Sequence, residues 1–293
     1  MKVTQMIEKV KETFTEPFDL ITREFKIAGK IDAVAVYIDT ICGGQRVSLE
    51  VIEPLSRLQP QPLPKTDIKT LITQVTTGIC RIEEKQTYDE AVLDLLNGKT
   101  VLVVDAVKTF LVLDTTVFPA RGVMEPPTNS VVLGPREGFI ENTVVNIGLV
   151  RKRVKHPDLT LVNNVNGKYT NTNITIMYVK SIAEQRIVDA VIEKIKSIQI
   201  DGILDSFYVM QYLQEEKFNI FRQVGSSEKP DVIASKLLEG RVVIFVDGSP
   251  VVLSVPYMLV EDLHAADDYY TNSSIVTLRR FIRLFGGDRK SVV

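Results

Sequence analysis

The chain has 293 residues, a net charge of -2, 45% apolar and 25% charged residues, which suits one large or two medium packed domains. That balance excludes a bulk basic field for nucleic acid, and no run approaches the roughly 18 apolar residues that span a bilayer. The amino terminus does not read as a secretory signal, and the two cysteines, Cys42 and Cys80, are expected to be buried free thiols of a reducing compartment.

In chain order, Met6, Val10 and Phe14 fall on one face of a first helix, and a second short helix is expected from Asp19 to Phe25. Residues 31–38 form a β-rich run that ends at Asp39. Gly43 and Gly44 break it, and residues 47–58 read as a helix interrupted at Pro54. Pro60, Pro62 and Pro64 impose an extended loop, because proline fixes φ and lacks a donor. Tyr88 to Asn97 is an amphipathic helix stopped by Gly98, followed by a strand at 101–104, a turn at 105–108 and a return strand at 109–113.

The same order recurs 142 residues later. Pro230 opens a helix over 231–239, Gly240 stops it, residues 242–246 form a strand, Asp247-Gly248 turns and 251–255 returns. Seven positions are identical without gaps: Asp89/Asp231, Leu95/Leu237, Leu96/Leu238, Gly98/Gly240, Val101/Val243, Val104/Val246 and Asp105/Asp247. Residues 34–39 align with 175–180 at a nearly equal offset. Agreement of order, spacing and element type predicts an internal duplication. The expected fold class is α/β, with two similar α/β lobes joined by a Pro/Gly-rich linker and helix. The expected divisions are a first lobe at 1–120, a linker and connecting helix at 121–158, a second lobe at 159–275 and a basic juxtamembrane segment at 276–293.

Within the linker, Glu125-Pro126-Pro127 and Gly134-Pro135 are extended or turn-forming. A helix fits from Glu137, with Ile140, Val144, Ile147 and Val154 at helical spacing. It ends in Arg151, Lys152, Arg153 and Lys155, cations that offset the helix dipole or meet an acidic partner or anionic headgroups. In the second lobe, Ser181 and Glu184 have capping-box spacing before a face of Ile187, Val188, Val191, Ile192 and Ile195. A short strand is expected at 198–200, a turn at Asp201-Gly202, and a helix from an Asp205 or Ser206 cap to about Glu216. At the carboxyl end, Leu278, Phe281, Ile282 and Phe285 share a helical face while Arg279, Arg280 and Arg283 lie elsewhere, as in a membrane-surface or juxtamembrane helix.

No constellation for chemistry stands out. Phosphate-loop, dinucleotide and zinc-protease motifs are missing, and the only histidines, His156 and His264, have no ligand-spaced partners. No catalytic, metal or cofactor-binding residue is assigned, no cofactor is expected, and the chain is not expected to be an enzyme. Without tryptophan and with scattered aromatics, it offers no stacking platform for single-stranded nucleic acid.

The stretch EPPTNSVVLGPREGFIENTVVNIGLVRKR, from Glu125 to Arg153, resembles the A-subunit family of bacterial spore germinant receptors, the GerA family. The resemblance extends to Ile198-Gln-Ile-Asp-Gly-Ile-Leu-Asp-Ser206, to the pattern from Glu228 to Pro256, and to Asp268-Tyr-Tyr270 before Thr277-Leu-Arg-Arg. It implies an amino-terminal cytosolic domain of an integral protein of the spore inner membrane. Its implied partners are the B and C subunits of the same receptor and other A subunits in a homo-oligomer. Membrane contact would come through transmembrane helices downstream. After Phe285 the sequence departs from the family's apolar stretch, so the chain is expected to be truncated there.

This resemblance frames two functional readings. In the first, the domain couples and assembles the receptor that triggers germination. Its candidate interaction residues are Glu125, Pro126, Pro127, Gly134, Pro135, Arg136, Glu137, Gly138, Phe139 and Glu141. Glycine permits backbone conformations other residues resist, and Arg136 offers forked bonds to carboxylates such as Glu125, Glu137 or Glu141. In the alternative, the domain binds a small molecule, a germinant or metabolite, in a cleft between the two lobes. Asp39, Asp105, Asp201 and Asp247 near strand ends, with Asp205 at a helix start, are the candidate ligand contacts.

Overall fold

A computed structural model describes residues 2–15, 17–58, 68–76, 81–105, 107–117, 137–214 and 223–257. The chain forms two compact units, 1–120 with 147–162, and 121–146 with 163–293.

The first unit contains α1 (Val3–Thr13), β1 (Leu20–Ile27), β2 (Ile31–Ile38), α2 (Gly44–Val47), α3 (Glu53–Ser56), α4 (Ile68–Thr76), β3 (Ile82–Lys85), α5 (Tyr88–Leu96), β4 (Thr100–Val104) and β5 (Phe110–Leu113). Its sheet has the order β1-β2-β4-β5-β3, and every pairing given for it is antiparallel. From Ala33 onward in β2, and throughout β4 and β5, every residue is buried, because both sheet faces are covered. Val34, Val36, Ile38, Val101 and Val103 face α1 and α5, whose Met6, Val10, Ala91 and Leu95 are buried against them. Ala33, Ala35, Tyr37, Leu102 and Val104 form the opposite face, against Val47, Val51, Leu55 and Ile72. This side-by-side alternation is the period of two expected of a pleated strand.

Two local expectations are corrected here. Residues 19–25 are not a helix: they enter β1, paired with β2 from Leu20↔Ile38 to Ile27↔Ile31. Ala28 and Gly29 both take positive φ, as the hairpin turn with two left-handed residues requires, and this pairing overrides the local helical spacing. Nor does Pro54 interrupt the next helical segment. It stands in the first turn of α3, where its missing N–H is tolerated, and a π-helical turn at Ser48–Ile52 leads into it from α2.

α6 (Thr143–Arg151) and β6 (Leu159–Asn166) each contribute residues to both units. The second unit continues with β7 (Thr172–Val179), α7 (Gln185–Ser197), α8 (Ser206–Leu213), β8 (Gly225–Ser227), α9 (Pro230–Leu238), β9 (Val242–Val246) and β10 (Val252–Val255). Its sheet runs β6-β7-β9-β10-β8. Numbered within each lobe, both orders are first, second, fourth, fifth, third strand, so the two lobes share one topology. The repeated glycines show why the pattern persisted. Gly98 and Gly240 follow α5 and α9 at φ +88° and +85°, and a Cβ there would stand 2.8 Å from the Ile41 carbonyl oxygen and 3.0 Å from that of Ile182. Each position demands both a left-handed backbone and the absence of a side chain.

Further corrections concern helix ends. α6 starts at Thr143 rather than Glu137, and Val144 is exposed. α7 is preceded by Glu184, which makes no side-chain cap, and Ser181 lies in the turn where Ile182 and Ala183 donate to Val179. Its apolar face is as expected, with Val188, Val191 and Ile195 buried. Residues 198–200 are a loop, not a strand, and α8 ends at Leu213. No described helix is long and apolar enough to cross a membrane. Cys42 is buried and free, while Cys80, His264 and the expected basic helix at 278–285 lie outside the described residues.

Candidate functional site

The segment leading into α6 is the described part of the proline- and glycine-punctuated stretch. Glu125, Pro126, Pro127, Gly134, Pro135 and Arg136 lie outside the described residues; Glu137, Gly138, Phe139 and Glu141 lie within them. Phe139 is buried in the second unit, where its ring meets that of Phe245 edge-on at 5.9 Å between centroids. Its N–H donates to the Glu228 carbonyl at 2.8 Å, and the Glu141 carbonyl accepts from Gly248 at 2.9 Å.

Between those anchors a side chain substitutes for a strand. Asn146, 1% exposed, accepts from the Ile140 N–H at 2.9 Å and donates its amide to the Ile140 carbonyl at 2.6 Å. Asn142 then accepts from the Val145 N–H at 3.2 Å and starts α6. These side-chain bonds compete with helical ones, which is why residues 137–142 stay outside the helix despite the helical spacing of Ile140. Sequence reasoning missed both asparagines. Asn142 carried a usable signal, a helix-starting residue type immediately before an apolar run.

The other end of α6 carries a second feature that spacing did not show. Arg151 is 2% exposed and makes two bonds to the Asp19 carboxylate, Nε to Oδ2 and Nη2 to Oδ1, each 2.6 Å. Thr40 donates to the same carboxylate at 2.6 Å, and the Asp19 carbonyl accepts from the Asp39 N–H at 2.8 Å. The basic cluster therefore divides by role. Arg151 is an interior ion-pair partner, Arg153 donates to the Leu149 carbonyl as a helix-end cation should, and Lys155 reaches the Asn97 side chain.

The five candidate acids do not converge. Asp39 and Asp105 lie at opposite ends of β2, since Ala33 pairs with Val104 while Asp39 follows Ile38. Asp105 accepts from the Val3 N–H at 2.8 Å, and its lobe-two equivalent Asp247 accepts from the Thr143 N–H at 3.4 Å. Asp205 accepts from the Phe207 N–H at 2.8 Å and from the Ser249 hydroxyl at 2.8 Å, which ties it to the turn that carries Asp247. Asp201 is exposed, and its carbonyl accepts from Tyr169. Three of the five thus start helices. Among the described residues no group of three or more His, Cys, Asp or Glu side chains is placed to hold a metal ion.

Two grooves in the second unit have the size of ligand sites. One of about 520 Å³ is lined by Ile187, Val191, Lys194, Leu213, Val255 and Tyr257 among others. Another of about 720 Å³ lies along Asn166, Gly167, Lys168, Lys196 and Asp201. Of the candidate acids only Asp201 lines either one.

Residues 8–287 match the family described as Bacillus/Clostridium GerA spore germination protein. Spore germination protein KA of Bacillus subtilis is 30% identical over 95% of this chain and 51% of its own length. Spore germination protein B1 of the same organism is 30% identical over 94% and 57%. An uncharacterized membrane protein of B. subtilis, YfkQ, is 30% identical over 90% and 51%. The chain thus spans about half the length of the curated relatives it matches. The crystal structure of the N-terminal domain of the A subunit of the Bacillus megaterium spore germinant receptor GerK3 superposes with a TM-score of 0.67. Identity there is 27%, covering 88% of this chain and 95% of that one.

Proposed function

Since the chain belongs to the GerA family of Bacillus/Clostridium spore germination proteins, we propose that it is the amino-terminal domain of a germinant-receptor A subunit, coupling and assembling the membrane receptor that triggers spore germination. The observation that carries this reading is the Asn146 clamp on Ile140. It holds the end of the 125–141 stretch directly against the start of α6, whose last residue is locked to Asp19. Residues 139–141 are thus fixed by hydrogen bonds within the second unit at the point where the stretch enters α6. In this reading Arg136, with the acidic residues beside it, grips a neighbouring subunit. The partners would be the B and C subunits of the same receptor and other A subunits, at the cytosolic face of the spore inner membrane.

The test is Arg136→Ala in the whole receptor. The variant should keep the thermal midpoint of the isolated domain within about 1 °C and lose co-purification of the other subunits. A variant that co-purifies them like wild type, or that fails to fold, removes the support.

The 520 Å³ groove favours a second reading, a small-molecule site, because pockets of roughly 300–1,000 Å³ with apolar walls suit such ligands. Calorimetric titration with amino acids, sugars and nucleosides separates the two readings. Saturable heat that Val191→Trp abolishes would favour the binding module.

A further inference from the structure

The two lobes repeat one topology, so a difference between matched positions carries information. Continuing the alignment of residues 34–39 with 175–180 pairs Ile41 with Ile182, and Leu96 is already matched to Leu238. Contacts repeat the pairing: a Cβ at Gly98 would stand 2.8 Å from the Ile41 carbonyl oxygen, and one at Gly240 would stand 3.0 Å from that of Ile182. The side chains nevertheless differ. Ile41 and Leu96 are 1% and 6% exposed, within the core of the first unit. Ile182 and Leu238 are 48% and 59% exposed. Single exposed aliphatic side chains are ordinary, but these two stand where the sister lobe has core. In the first unit the element that follows the lobe lies over the matched position. A Cβ at Gly148 of α6 would be 2.6 Å from the Thr40 carbonyl oxygen and 3.8 Å from the Ile41 Cγ2. The neighbouring Ile147, Leu149 and Val150 are buried, and past the helix Lys155 bonds to the side chain of Asn97.

We propose that the surface at Ile182 and Leu238 is a docking site for residues 278–285 of the same chain, which take there the place that α6 takes over Ile41. That segment lies outside the described residues; in sequence its Leu278, Phe281, Ile282 and Phe285 fall on one helical face. Its position in the repeat corresponds: residues 114–142 join β5 to α6, and residues 256–277 join β10 to this segment. A connection of that length, at about 3.3 Å per extended residue, reaches across a lobe. Charge corresponds as well. The counterpart of Asn97, which Lys155 meets in the first unit, is the exposed Glu239, and the segment brings Arg279, Arg280 and Arg283. Glu239 already pairs with Arg241, so an incoming arginine joins an existing ion pair. This contact needs nothing from Arg136, so it holds or fails apart from the coupling reading.

The chain has no tryptophan, so Leu238→Trp places a single fluorescent reporter on this surface. In the full 293-residue chain its emission should lie to the blue of free tryptophan and resist quenching by iodide. Adding Phe281→Asp/Ile282→Asp should shift the emission to the red and admit the quencher. Adding Arg279→Glu/Arg280→Glu instead should shift it the same way, which supplies the comparison if the first variant fails to fold. A reporter as exposed in the parent as in these variants overturns the proposal. So does an emission that moves red on dilution, which would assign the cover to a second copy. Emission that turns blue only with phosphatidylserine/phosphatidylcholine vesicles would assign the surface to lipid and also overturn it.

Discussion

Asp105 and Asp247 occupy the same turn of the two lobes, 142 positions apart, and each gives a carboxylate oxygen to the first N–H of a helix. Asp105 receives Val3 of α1 at 2.8 Å, and Asp247 receives Thr143 of α6 at 3.4 Å. Their own N–H groups repeat the correspondence, donating to the Asp32 and Asn173 carbonyls at 3.1 and 3.0 Å. The duplicated acid is thus a device that attaches the leading helix of each lobe to its sheet.

Replacement of Asp105 by alanine should cost about 1 kcal/mol in urea unfolding, the usual value of such a start signal. Asp247→Ala should cost less, because its bond is longer. Asparagine at either position should recover most of the loss. Equal losses at the two sites would contradict the geometry.

The Asp19–Arg151 pair is inside the first unit, with side chains 0% and 2% exposed. Asp19→Leu or Arg151→Met alone leaves a buried charge unmatched and should cost about 3–5 kcal/mol. The double replacement should cost much less than the sum, with Thr40 losing its acceptor as the residual penalty. A double-mutant cycle by chemical denaturation reads this directly, and additive losses would show that the pair is not coupled.

Lys229, at the start of α9, is 1% exposed, and among the described residues its Nζ has no hydrogen-bond partner. An unpaired buried ammonium is costly, so Lys229→Met should raise stability by about 1 kcal/mol or more. A fall in the thermal midpoint would mean that the charge is compensated in solution.

Cys42 sits under Thr115 and Thr100, at 3.0 and 3.4 Å from their hydroxyls. Burial pushes its thiol above the usual range, against the two hydrogen bonds, which lower it. A thiol raised on folding contributes stability below the unfolded value of about 8.5 and loses it as pH rises through the folded value. Peptide mass spectrometry after iodoacetamide at pH 8 should find Cys42 unmodified in the folded chain and modified in urea. Stability should decline on the alkaline side, and more weakly in Cys42→Ala.

The repeat was legible in the sequence because its positions are dictated by backbone geometry and double-sided burial. Gly98 and Gly240 permit no side chain, and the strands beside them are buried without a break. β1 was not legible, because Arg23, Glu24 and Lys26 make its middle polar and its pairing partner sets its register. Arg151 looked like a helix-end cation since Asp19, the partner that draws it inside, is 132 positions away. Asn146 gave no pattern at all: its partner is the backbone of Ile140, which any residue could supply. The aspartates at strand ends, candidate ligand contacts in the sequence, stand at turns, and Asp105 and Asp247 also start helices. Their dispersal follows from antiparallel strands, whose carboxyl ends alternate between the two edges of a sheet.

The most direct measurement is dipicolinic acid release from spores whose A subunit carries Arg136→Ala, with the subunit's amount followed by immunoblot. Wild-type amounts of the A subunit with release slowed at least about tenfold would be the expected outcome of a coupling domain, an apparent barrier change of roughly 1.4 kcal/mol. Release at the wild-type rate from spores with wild-type amounts of the variant would contradict it.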